Sequence, residues 1–139
     1  MISVRSTFTG GEYGYERVNV TAQRHDPSSL LSWFERMIRT LRECPEVGCG
    51  ACAAVDIEDA RSVLVHRADF AGGVVLFVHN LGDDDATLDL SKIAEDGLKP
   101  LELFADQKYE PVDGKLAEVT VAGGGYRWIR LKEMSISGP

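Results

Sequence analysis

The 139-residue sequence contains no apolar run approaching the roughly 18 to 20 residues that a membrane-spanning helix requires. Its first residues, Met1-Ile2-Ser3-Val4-Arg5, also lack the apolar stretch of a secretory leader, so the expected location is cytoplasmic. Basic residues are in short supply: 15 Lys and Arg face 22 Asp and Glu, which leaves a net charge of -7. An acidic body offers no basic stripe for a phosphate backbone, so neither nucleic acid nor an anionic membrane is an expected partner. The imbalance is local, because residues 1–45 hold six arginines against five acids while 46–139 hold nine bases against seventeen acids. Internal repeats and low-complexity segments are lacking as well, which removes solenoids and linkers from consideration.

Cysteine is scarce and oddly placed. Cys44, Cys49 and Cys52 form a C-x4-C-x2-C pattern within nine residues. Zinc usually takes four ligands, and the nearest further candidates, His66 and His79, stand inside apolar runs with no second C-x2-C pair. A redox motif would put Cys49 and Cys52 at a helix start after a strand, whereas here Pro45, Gly48 and Gly50 surround them. Free, partly buried thiols are the preferred reading, and no metal or other cofactor is expected. An odd count without a leader also argues against a disulfide framework. Nor is there a G-x-S-x-G turn for a serine nucleophile. Asp83-Asp84-Asp85 lacks the alternating spacing of a calcium loop and reads as a solvated hairpin tip. Gly123-Gly124-Gly125 runs into Tyr126-Arg127-Trp128-Ile129, an extended pattern, so it reads as a turn instead of a phosphate cradle.

What the sequence does have is 44% hydrophobic and 27% charged residues, the composition of a compact domain with a core of its own. Residues 1–25 show no clear period and read as a loop. The clearest element begins at Asp26-Pro27-Ser28, with Asp26 as the expected helix cap and Pro27 as the first helical residue. From there Leu30, Leu31, Trp33, Phe34, Met37, Ile38 and Leu41 recur on one helical face, until Pro45 stops the helix after Cys44. So wide an apolar stripe needs a large partner surface, and helix 28–43 is a candidate for self-association. Beyond Gly48 the pattern predicts short strands over 51–57, 62–69, 73–80, 86–90, 98–104, 116–121 and 126–132, with Val74–Val78 as a central strand. Asp113-Gly114 is the strongest hairpin signal among the turns. The expected fold is mainly β, an antiparallel Greek-key β-sandwich of about seven or eight strands preceded by one amphipathic helix.

Tyr126 and Trp128 alternate with Arg127 and so share a strand face. Together with Tyr13 they are the candidate sugar-stacking residues, although packing within the domain is the preferred reading of each ring. No catalytic group can be selected by spacing among the acids, because glycoside chemistry depends on a carboxylate separation in space.

The order Tyr15-Glu16-Arg17-Val18-Asn19-Val20, Gln23-Arg24, Asp26 through Trp33, Glu35 through Arg39 and Glu43 through Gly48 resembles the last barrel helix of the α-amylase superfamily of glycoside hydrolases. Its trehalose synthase-like branch is the nearest in wording. Val75 through Asp83 resembles the central strand and turn of that family's C-terminal domain, and Gly125-Tyr126-Arg127-Trp128 resembles its closing strand. Where the family carries tryptophans after the helix, this chain has Cys49 and Cys52. The resemblance implies that residues 1–47 are the loop and last helix of a catalytic barrel and 48–139 a C-terminal β-sandwich. It further implies a parent enzyme acting on short α-glucosides such as maltose and trehalose, with the barrel as this region's partner and α-glucan as an alternative ligand. The family's catalytic aspartate nucleophile, acid/base glutamate and third aspartate lie far upstream, and none maps onto a residue here. The expected role is thus non-catalytic: capping and stabilising the barrel.

Overall fold

The computed structural model describes residues 10–94 and 98–133. They fall into two compact units, 1–39 and 40–139, of which the first is helical and the second a β-sandwich.

In the first unit, α1 (Val20–His25) follows Asn19, whose Oδ1 accepts the Ala22 amide at 2.8 Å. This side chain satisfies one of the donors that a helix start leaves unpaired. α1 was not expected, because six residues are too few for an apolar period to register. The main helix, α2 (Leu30–Arg42), begins later than the Asp26-Pro27 signal suggests. Asp26 instead ends α1 and turns the chain, its Oδ1 accepting the Ser28 amide at 2.8 Å. Ser29 takes the capping role: its Oγ accepts the Ser32 amide at 3.2 Å and donates to the Gln23 carbonyl at 2.6 Å. No residue of α2 is buried, and Leu30, Phe34 and Ile38, at successive i, i+4 positions, are all exposed.

The second unit takes in the last turn of α2 and then α3 (Pro45–Cys49), a short helix that Pro45 starts, being free of any need to donate there. Seven strands follow: β1 (Ala51–Val55), β2 (Val63–Phe70), β3 (Gly73–Asn80), β4 (Ala86–Leu88), β5 (Leu98–Ala105), β6 (Val119–Val121) and β7 (Tyr126–Glu133). Every predicted strand is present. They form a five-stranded antiparallel sheet ordered β1-β2-β3-β7-β5 and a two-stranded antiparallel sheet, β4-β6. Val74, Leu76 and Val78 of β3, Val65 of β2 and Ile129 and Leu131 of β7 line one face of the large sheet. Leu88, Leu90, Leu116, Val119 and Val121 meet them from the small one, closing an aliphatic core.

Two expectations about turns give way to this topology. Asp113-Gly114 does sit at a turn, with the Leu116 amide bonded to the Asp113 carbonyl at 3.2 Å. It joins no hairpin, because β5 pairs with β7 and β6 with β4. Likewise Asp83–Asp85 lies where the chain changes sheets between β3 and β4 instead of at a hairpin tip. Asn80, 1% exposed, organises that corner: its Nδ2 donates to the carbonyls of Asp84 at 2.8 Å and Val121 at 3.2 Å, while its Oδ1 accepts the Gly82 amide at 3.0 Å. Gly123 packs against it so closely that a Cβ there would stand 2.0 Å from the Asp83 carbonyl oxygen.

Candidate functional site

Strand alternation places the aromatic side chains of the large sheet, with His66 and His79, on the face opposite the aliphatic core. On β3, Phe77 and His79 point away from Leu76 and Val78; on β7, Tyr126 and Trp128 flank the inward Arg127. Register then brings His66 of β2 beside Phe77, and Phe77 beside Trp128. β5 would present Phe104 to the other side were it regular. A β-bulge between Glu102 and Phe104 shifts the register by one residue, so that Glu102 opposes Ile129 on the core side and Phe104 opposes Trp128 on the aromatic side.

The result is a layer of six rings crossing four strands. His66 stacks on Phe77 at 4.6 Å between centroids and parallel to His79 at 5.9 Å. Trp128 stands edge-on to Phe77 at 5.1 Å and tilted on Phe104 at 5.0 Å, and Phe104 stacks on Tyr126 at 5.5 Å. Such offsets and T-shapes satisfy the ring quadrupoles. Burial pushes both histidines below the ordinary imidazole pKa, and for His79 the charge of His66 adds to the effect. Both are therefore neutral at pH 7.

Of the candidate stacking residues, Tyr126 and Trp128 do share this face, but Trp128 is only 7% exposed and presents no open ring surface. Its indole Nε1 is buried and has no hydrogen-bond partner among the described residues. Tyr126 is partly buried between His79 and Phe104. Tyr13, in the helical unit, is 77% exposed.

The opposite side of β7 carries a feature that spacing did not disclose. Arg127, 2% exposed, forms a forked pair with Glu102, Nε to Oε1 at 3.1 Å and Nη2 to Oε2 at 2.6 Å. Its remaining donors reach the carbonyls of Thr120 at 3.0 Å and Glu110 at 3.2 Å, and the guanidinium lies 4.4 Å over the Tyr109 ring. Tyr109 in turn donates to Asp106 at 2.7 Å and accepts the Ala122 amide at 3.1 Å. One cation thus fixes both sheets and the 106–110 segment. Between β5 and residues 107–112 runs a groove of about 470 Å³, floored by Phe104, Tyr109 and Val112. Alternation in the sequence sets Arg127 on the face opposite Tyr126 and Trp128 but does not say that this face is the buried one, and its partner 25 residues earlier was invisible without the register.

A second buried ion pair anchors α3. Glu46, 5% exposed, receives Arg130 Nη2 at 2.7 Å, and the same nitrogen donates to the Glu43 carbonyl at 2.9 Å. Among the three cysteines, Cys44 is buried, its Sγ 3.1 Å from the Thr40 carbonyl, while Cys49 and Cys52 are exposed. Desolvation raises the Cys44 thiol pKa, leaving it protonated and unreactive at neutral pH. Among the described residues, no group of three or more His, Cys, Asp or Glu is arranged to hold a metal ion.

The same fold is present within much longer solved proteins. The Bacillus licheniformis trehalose-6-phosphate hydrolase superposes on 86% of this chain with a TM-score of 0.71 at 17% identity, using 21% of its own length. The trehalulose synthase MutB from Pseudomonas mesoacidophila gives 0.68 over 85% of the chain at 18% identity, with 20% of its own length. Sequence similarity narrows the class. The chain is 36% identical over 123 residues to a trehalose synthase of Thermus thermophilus and 32% identical over 130 residues to one of Pimelobacter sp.. These matches take in 88% and 91% of this chain but 13% and 22% of the relatives. The chain is accordingly similar, over about nine-tenths of its length, to a C-terminal part of trehalose synthases much longer than itself. No family model matches it.

Proposed function

We propose that this chain is the non-catalytic C-terminal region of a trehalose synthase-like enzyme, in which it caps and stabilises the catalytic barrel. The observation that carries this reading is the coverage: about nine-tenths of the chain aligns with a small C-terminal share of each relative. Residues 1–47 then correspond to the loop and last helix of the barrel and 48–139 to the sandwich. The exposed Leu30, Phe34 and Ile38 of α2 support a barrel partner, since three large apolar side chains in line are costly to leave in water. The parent would act on short α-glucosides in the cytoplasm through carboxylates that this region does not supply.

The alternative, an α-glucan-binding module, has less support. Trp128 is buried and Tyr126 is hemmed in by neighbouring rings, which leaves Tyr13 as the one candidate with an open face.

Two measurements test the proposal. The chain alone, incubated with maltose, trehalose and a longer maltodextrin, is expected to release no product; turnover would overturn it. Exchanging the matched segment of the Thermus enzyme for this chain should give a soluble, active chimera. Saturable quenching of tryptophan fluorescence by maltodextrin without turnover would favour the binding module.

A further inference from the structure

The two edges of the five-stranded sheet are defended very differently. At the β5 edge, Pro100 removes a backbone donor, Lys99 adds a charge, the bulge at Glu102/Phe104 breaks the register, and residues 107–112 line the groove alongside. These are the devices by which proteins prevent an edge strand from recruiting another chain. The β1 edge has none of them. Its sequence, Ala51-Cys52-Ala53-Ala54-Val55, carries no charge, no proline and no bulge, and its first four residues are exposed. Among the described residues β1 pairs with β2 alone, so its outer row of amides and carbonyls is open to a further strand.

From this contrast we infer that β1 is a docking edge for a second copy of this chain, the two β1 strands pairing antiparallel to form one continuous ten-stranded sheet. Three points select that occupant. Among the described residues the five-stranded sheet has one undefended edge, which permits a closed two-fold pair of such sheets but no filament of them, since the β5 edge cannot propagate it. The charges flanking β1 favour the antiparallel sense: with Ala53 opposite its own counterpart, Asp56 faces Gly50 and Glu58 faces Gly48 of the second copy, whereas parallel pairing would set Asp56 beside Asp56. The small side chains of Ala51 to Ala54 also allow close approach, so that backbone hydrogen bonds supply the affinity. This inference does not depend on the capping role proposed above.

Sedimentation equilibrium of the full chain over a wide concentration range tests it. A reversible dimer is expected, weakened by about tenfold or more in the Cys52→Lys/Ala54→Lys variant, because four lysines would then line the shared edge. The Phe34→Glu/Ile38→Glu variant, altered on α2, should dimerise like the parent. A monomer at all concentrations would overturn the inference, as would a dimer dissolved by the helix substitutions and indifferent to the strand ones. Should the strand variant fail to fold, hydrogen exchange of the unaltered chain decides the matter. Protection of the 51–55 amides that rises with concentration supports strand pairing, and concentration-independent exchange there refutes it.

Discussion

The sandwich and α2 solve the problem of apolar surface in opposite ways. Leu76, Leu90, Leu116, Ile129 and Leu131 have no exposure at all, each covered by residues within residues 40–139. α2 is richer in large apolar side chains, with seven in thirteen residues, yet buries none of them completely. The difference teaches that an amphipathic pattern states only that a face is apolar. Whether the covering surface lies in the same chain is a separate question, and the sheet answers it where the helix does not.

If that contrast holds, substitutions in the two regions should differ sharply. Leu76→Ala would leave a cavity in a core that cannot collapse onto it, at about 2–5 kcal/mol, measured by urea denaturation followed by circular dichroism. Glu102→Ala should cost less, about 1–3 kcal/mol, because Arg127 would keep its carbonyl partners while losing the Glu102 carboxylate. Its unfolding should also become more sensitive to added Arg127→Met, which removes the stranded charge and recovers part of the loss. At the other end of the scale, Phe34→Glu should change the stability of the isolated chain by less than about 0.5 kcal/mol. In the chimera with the Thermus barrel, the same substitution should lower the melting temperature clearly, and equal effects in both settings would erase the distinction drawn here.

The histidine pair gives a smaller, pH-dependent effect confined to the sheet. His66 and His79 have folded-state pKa values below the unfolded imidazole value of 6.5. The folded chain therefore binds fewer protons than the unfolded one as acid is added. Their contribution is fully present above pH 6.5 and is lost as the pH falls through the lowered values. The melting temperature should decline on acidification through this range, and His79→Phe should flatten the decline. An unchanged slope in that variant would show that the pair is not its source.

Periodicity was a sound guide wherever one face of an element meets one environment. The runs around Val63, Val74 and Tyr126 could be assigned because alternating or continuous apolar residues leave few other options. Long-range pairing was not legible. Asp113-Gly114 has the chemistry of a hairpin turn, but nothing local says that the strands beside it join different sheets. The same is true of Arg127, whose burial depends on a glutamate brought in by register. Helices α1 and α3 escaped notice because five or six residues cannot display a 3.6-residue period convincingly. Trp128 shows the limit for the candidate site: alternation assigned its face, whereas its 7% exposure is a property of the whole packed layer.

The bulge in β5 behaves as a frameshift in a code with a two-residue word. Before it, the strand spells its aliphatic and charged letters toward the core; after it, the phase is inverted and Phe104 is read out with the rings. A strand so punctuated takes the side of each later residue from the count at the bulge and is indifferent to many changes in spelling there. Removing Leu103 would restore a regular phase and leave Phe104 opposite Trp128 among the rings, with the bulge and its local twist lost. Substituting Leu103, which the register leaves without an opposite number, would keep the message intact.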